Sequence, residues 1–326
     1  MHLARRKVLR SLAAAVALPL LSKAALATTN YPTRPVRLIV GFPPGGPTDI
    51  TARLVAQRLS NRFNKQFIVE NKAGAGSNIA TEMVAHAPPD GYTLLLVTTI
   101  NAINASLYTK LDFNFVDDIA PVASLIRYPL VMIASPSLPV QNVPELIAYA
   151  KANPGKLNIG SGGTGTPFHL AAELFKMMTK TDMLHVPYSG SAPMIAAMLA
   201  GQVQVAFDAI TSSMPYIKSG ALRGLAVTSA DRSPVFPNLP TMNTFVPGYE
   251  VTGWHGIGAP KKTPGAVIDK LNREVNLILV DPPVLAQFAK LGAKAFVSSP
   301  AEFKAFIATE TEKWRNVVKF ARLKVG

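Results

Sequence analysis

Two glycine-rich turns constrain this chain most, each preceded by a short apolar run and followed by a helix-like stretch: VRLIV-GFPPGGPTD-ITARLVAQRL and LNI-GSGGTGTPF-HLAAELFKMM. A strand that enters a helix through a tight turn is the repeating unit of sheets covered by helices. Each turn also gathers backbone N–H groups at a helix start, and such a start favours an anion. Neither turn contains a Lys or Arg. Offset by main-chain dipoles alone, a small carboxylate fits, whereas a nucleotide triphosphate calls for a lysine and a metal. In the first turn Pro47-Thr48 stands where a phosphate-binding loop would need Lys-Thr, which argues against an NTPase.

The alternation continues along the chain. Strand-like runs fall at 36 to 40, 67 to 71, 92 to 98, 130 to 135, 157 to 161, 183 to 188, 203 to 209 and 222 to 228, with helix-like stretches at 49 to 63, 78 to 86, 143 to 152, 168 to 179 and 191 to 200. This pattern predicts parallel sheets with ligands at the C-terminal strand edges, where both glycine turns lie. The turns are about 120 residues apart and each opens its own α/β unit, so the expectation is two lobes facing a shared cleft. Candidate crossings are 120 to 128 and 247 to 260, after which 264 to 280 and 300 to 320 read as helices returning to the first lobe. The expected division is lobe 1 from 28 to 125 completed by 252 to 326, and lobe 2 from 126 to 251.

Residues 1 to 27 carry Arg5, Arg6, Lys7 and Arg10, an apolar run from Leu12 to Leu21, and Ala25-Leu26-Ala27. This is the order of a secretory signal cleaved after Ala27, too short for a membrane span. Its removal takes five basic and no acidic residues, and the formal charge falls from +14 to +9. The remaining cations are scattered, with no basic run of the kind that marks a nucleic-acid partner. With zero cysteines, disulfides, thiolate metal sites and a cysteine nucleophile are excluded. No catalytic motif or metal-ligand spacing is present, so neither enzyme activity nor a cofactor nor a metal is expected.

The candidate ligand residues come from the turns and the strand ends beside them. The first turn supplies Phe42 as a wall, Pro43, Gly45, Gly46 and Thr48, with Asp49 read as a helix N-cap because a carboxylate repels an anionic guest. The second supplies Ser161, Gly162, Thr164, Gly165 and Thr166. His169, in the following helical turn, reads as a buried helix residue or a ligand contact. Gly76, Ser77 and Asn78 form a third loop after a strand, and Thr99 and Asn101, with Thr98, end the next strand. In the second lobe Tyr188 either bonds a ligand or caps the core. Asp208 either selects a ligand hydroxyl or amine or caps the helix from Thr211. Trp254 reads as hinge packing.

Taken in order, YPTRPVRLIVGFPPGGPTDITARLVA, VENKAGAGSNIATEMVAHAPPDGYTLL, NIGSGGTGTPFHLAAELF, HVPYSGSAPMIAAMLAGQVQVAFD and GWHGIGAPKKTP resemble successive motifs of the Bug (TctC-like) family, the periplasmic solute-binding receptors of tripartite tricarboxylate transporters. The resemblance covers nearly all of the chain after residue 27. It implies a two-lobed Venus-flytrap fold of the type II periplasmic binding class. It further implies a monomeric receptor that grips a small carboxylate between the two turns. The implied partners are membrane transporter subunits; the alternative reading is a ligand sensor that presents its closed form to a periplasmic signalling domain.

Overall fold

A computed structural model describes residues 30–325, so the expected signal segment and its cleavage site lie outside the described residues. The first sheet half begins with β1 (Val36–Val40), which pairs in parallel with β2 (Phe67–Asn71) and β3 (Thr93–Thr98). Helix α1 (Pro47–Phe63) follows the first glycine turn, α2 (Asn78–Ala85) follows a short 3-10 turn, and α3 (Thr99–Leu107) starts directly from the end of β3. After the single turn α4 (Phe115–Asp118) comes β4 (Ile119–Ala134), the long strand of the molecule.

The second half repeats the pattern. Helix α5 (Val143–Ala152) leads to β5 (Asn158–Ser161), the second glycine turn, α6 (Pro167–Thr179), β6 (Leu184–Pro187), α7 (Ser191–Leu199), β7 (Val205–Ala209), α8 (Ile210–Lys218) and β8 (Arg223–Val227). Strand β5 is parallel to both β6 and β7. The chain then returns through β9 (Thr252–Pro260), α9 (Gly265–Leu279), α10 (Pro282–Lys290), the short β10 (Lys294–Ala295) and α11 (Pro300–Phe320).

The segments expected as crossings are themselves strands. β4 pairs antiparallel with β9 through Pro129, then with β7 from Leu130 to Ala134 and with β8 from Val131 to Ala134. The result is a two-lobed α/β architecture in which one continuous strand belongs to both sheet halves. Because strand side chains alternate, the far end of β4 feeds two cores. Leu130, Met132 and Ala134 join Phe175, Phe207, Tyr249 and Trp254, whereas Val131 and Ile133 join Met194 and Val203.

The end of β4 was read as the run 130 to 135, whereas β9 and the first part of β4 were hidden from sequence reading by glycines and prolines, which punctuate loops. In β9 the glycines make room. A Cβ on Gly253 would sit 2.0 Å from the Tyr128 ring, and one on Gly256 would sit 2.2 Å from Phe303. Every residue of β9 is buried, and Trp254 packs edge-on against Phe303 and Phe306 while its indole N–H donates to Glu310.

Candidate functional site

Three helix starts meet at a cavity of about 120 Å³. Thr48 comes from the first turn of α1, Thr99 and Ile100 from the first turn of α3, and Thr166, Pro167 and Phe168 from the start of α6. Phe42, Thr98, Tyr128 and His255 complete the wall. Helices α1 and α3 follow strands of the first sheet half and α6 follows β5 of the second, so the cavity is built from both. No charged side chain lines it if His255 is neutral, and burial does hold His255 neutral, with its pKa pushed down to about 3. Converging first-turn N–H groups are left without intrahelical partners and carry partial positive charge.

The hydroxyls differ in what they have left to offer. Thr98 Oγ accepts from the Ile100 N–H at 3.2 Å and donates to Asn101 Oδ1. Thr166 Oγ donates to the Gly163 carbonyl at 2.7 Å and accepts from the His169 N–H at 3.4 Å, which caps α6. Both are committed. Thr99 Oγ accepts the Trp254 N–H at 2.9 Å, which leaves its own proton for a guest.

Of the residues expected from sequence, Phe42, Thr48, Thr98, Thr99 and Thr166 line the cavity. Several others hold the turns instead. Asp49 does not cap α1, whose N-cap is Gly46 without a side-chain bond; its carboxylate reaches back to accept the Gly45 N–H at 2.9 Å. That carboxylate also takes Arg53 and Asn71 at 2.9 Å each. Burial acts to raise the Asp49 pKa, but Arg53, the Gly45 N–H and Asn71 hold it below the usual carboxylate range. The Gly45 amide is therefore spent, and Gly45 and Pro43 lie exposed at the turn's outer side.

The second turn is held in a similar way. His169 is buried, its Nδ1 accepts the Gly165 N–H at 3.0 Å, and its ring stacks on His185 with centroids 3.6 Å apart. Ser161 Oγ meets His185 Nε2 at 2.7 Å. Gly165 presses on Leu107 of α3, where a Cβ would come within 2.5 Å of that side chain. Thr164 is exposed, and Gly162 packs near Phe168 and Gly190.

Asn101 is a capping residue: its Oδ1 accepts the Thr98 N–H at 2.7 Å while its Nδ2 donates to Thr81. Tyr188 packs against the apolar cluster around Met194 and does not reach the cavity. Asp208 is fully buried and accepts hydroxyl protons from Ser191 and, at 2.7 Å, Ser213. Burial raises its pKa despite these bonds. Gly76 lies beside Asn104 of α3, and its carbonyl accepts Asn104 Nδ2 at 2.8 Å. Ser77 is wedged behind Gly41, where a Cβ would meet Ser77 Oγ at 1.9 Å. Ser77 Oγ and Asn78 Nδ2 are buried without a partner, while Asn78 Oδ1 accepts Asn104 Nδ2 at 2.9 Å.

Tyr128 and His255 were not legible as site residues. They sit on the crossing strands and enter the wall only through register, with His255 opposite Ile126 and Tyr128 opposite Gly253. Ile100, Pro167 and Phe168 were missed more narrowly, since each lies within two residues of an expected threonine. A larger cavity of about 540 Å³ is lined by Arg127, Asp231, Glu250 and Phe296 among others, and shares Tyr128 with the smaller one. It contains no residue of either glycine turn. We therefore place the site where the helix starts converge rather than where the volume is greatest.

The tripartite tricarboxylate transporter receptor family matches residues 51–323, and the chain belongs to this family of receptors rather than to an enzyme family. It is 36% identical to protein BugT of Bordetella pertussis over 299 residues, spanning 91% of this chain and 92% of that protein. Among solved structures, Rpa4515 of R. palustris with adipate is 38% identical with a TM-score of 0.76, covering 90% of this chain and 99% of that one. MatC from Rhodopseudomonas palustris with bound malate is 31% identical with a TM-score of 0.72, covering 88% of this chain and 100% of that one.

Proposed function

We propose that this protein is an extracytoplasmic receptor that captures a small organic carboxylate between two lobes and delivers it to the membrane subunits of a tripartite tricarboxylate-type transporter. The observation that carries this reading is the meeting of three helix starts, drawn from both sheet halves, around a cavity without a charged side chain. Relatives that hold adipate and malate support the ligand class. Among the described residues no helix is long and apolar enough to cross a membrane, and the basic, apolar, Ala-x-Ala order of residues 1 to 27 supports export with cleavage after Ala27.

The lobes in this reading are 28 to 125 with 252 to 326, and 126 to 251. The proposed contacts are Phe42, Thr48, Thr99 and Thr166, with Ser77 Oγ and Asn78 Nδ2, both buried without a hydrogen-bond partner, as further donors. Each charge-assisted N–H contact contributes about 1.5 to 3 kcal/mol. Association costs roughly 4 to 15 kcal/mol. One lobe's donors do not cover that cost well, so tight binding needs both lobes at once and closure accompanies it. Calorimetric titration of the purified protein with a panel of mono- and dicarboxylates, paired with small-angle scattering, tests this. Binding with compaction is expected; no heat and no compaction across the panel would overturn it.

A further inference from the structure

His255 has its hydrogen-bonding roles fixed by its neighbours. Its Nδ1 lies 3.3 Å from Thr51 Oγ. Thr51 Oγ has one proton, and that proton goes to the Pro47 carbonyl at 2.8 Å, because a carbonyl can only accept. Thr51 therefore meets Nδ1 with a lone pair, and Nδ1 carries the imidazole hydrogen. In a neutral ring Nε2 is then an acceptor. The ring lines the carboxylate cavity, is only 2% exposed, and packs edge-on against Tyr128 at 5.5 Å. No described residue donates to Nε2, while Nδ1 has its partner in Thr51.

An acceptor is out of place in a site made for a carboxylate. The free groups at the cavity are otherwise N–H groups of helix starts and hydroxyls able to donate, and His255 Nε2 is the one side-chain group there that accepts and cannot donate. A buried acceptor left unpaired costs more than a made bond returns. Its partner must bring a proton of its own. An ammonium would seek a carboxylate, and no Asp or Glu lines the cavity.

We propose that His255 reads a hydroxyl on the ligand, so that the preferred guest is a hydroxy-carboxylate rather than its deoxy counterpart. The inference rests on the receptor reading above and narrows its ligand class. Thr51 is the positioning residue that fixes the ring's tautomer, and Tyr128 holds the ring's plane.

The test compares matched pairs by calorimetry on the purified protein: malate against succinate, and 2-hydroxyadipate against adipate. In at least one pair the hydroxy acid is expected to bind roughly ten-fold tighter or more. In His255→Phe, which keeps a ring against Tyr128, that ratio is expected to fall to near one. Should His255→Phe not fold, long-range nitrogen-15 NMR of the imidazole in the unaltered protein decides the same point. Nδ1 is expected to be protonated, and the Nε2 resonance to move only with the hydroxy acid. Equal binding within both pairs, or a hydrogen on Nε2 in the free protein, overturns the inference and leaves the receptor reading standing. Failure of all four acids to bind counts against that reading itself.

Discussion

At the scale of single residues, each glycine turn is held by a polar side chain of the helix that follows it. Asp49, read as a helix N-cap, instead accepts the Gly45 N–H of the first turn, and His169, buried in its helix as one of its two readings had it, accepts the Gly165 N–H of the second. Asn101, expected at the ligand floor, instead caps the start of α3 by accepting the Thr98 N–H. Sequence shows residue type and spacing, but which way a short polar side chain turns is decided by burial and competing donors. Phe42, Thr48, Thr99 and Thr166 were legible because a helix start after a strand fixes where its first residues point. We predict that Asp49→Asn, which leaves the Gly45 amide and Arg53 poorly paired, destabilises the protein by about 1 to 3 kcal/mol in chemical denaturation. An unchanged denaturation midpoint would show that the turn holds without it. Gly253→Ala meets the Tyr128 ring and is expected to cost about 1 to 3 kcal/mol. A smaller side chain at Tyr128 should restore part of the loss, and no recovery would place the strain elsewhere.

At the scale of elements, apolar runs bounded by turns were read closely: VRLIV and FIVEN coincide with β1 and β2, and the stretch from 300 to 320 coincides with α11. Helix α11 carries its own start signal, with Ser299 and Glu302 capping each other. Helix α3 was hidden because TINAINASL is rich in residues that favour caps and turns. It forms because the Thr98 and Asn101 box closes its first turn and Ala102, Ile103 and Leu107 bury their side chains. β9 was hidden by glycines whose reason lies in Tyr128 and Phe303, distant in sequence. For α6 the account predicts that Thr166→Ala lowers stability by about 0.5 to 2 kcal/mol. It should also weaken carboxylate binding, because the N-cap hydroxyl ties the second turn to the helix start. A loss of stability with undiminished affinity would separate the turn from the ligand.

At the scale of the whole molecule, the continuous strand β4 and its partner β9 make the joint between the sheet halves a paired, buried element rather than a loose tether. That rigidity suits a hinge, where motion is confined to a few residues at element ends. One buried and one half-buried histidine, His255 and His185, tie fold stability to pH. Burial first, and then the adjacent His169, push the His185 pKa down from 6.5 to about 4, and burial alone pushes His255 down to about 3. The unfolded chain takes up these protons near pH 6.5 while the folded protein refuses them. Stability from this source is thus complete above about pH 6.5 and is lost as pH falls toward 4. For His185 the loss is on the order of 3 kcal/mol when the shift is realised in full. Denaturation midpoints should stay level from pH 7 to 8 and decline between about 6.5 and 4, with a shallower decline in His185→Gln. Stability that holds or rises on acidification through that window would contradict the assignment.

The most direct test of the central claim is a crystal structure of the protein with a bound small carboxylate. Carboxylate oxygens are expected about 3 Å from the N–H groups of Thr48 and Phe168 together, one from each sheet half. A ligand seated in the larger cavity by Arg127, or touching the helix starts of one half alone, would contradict it.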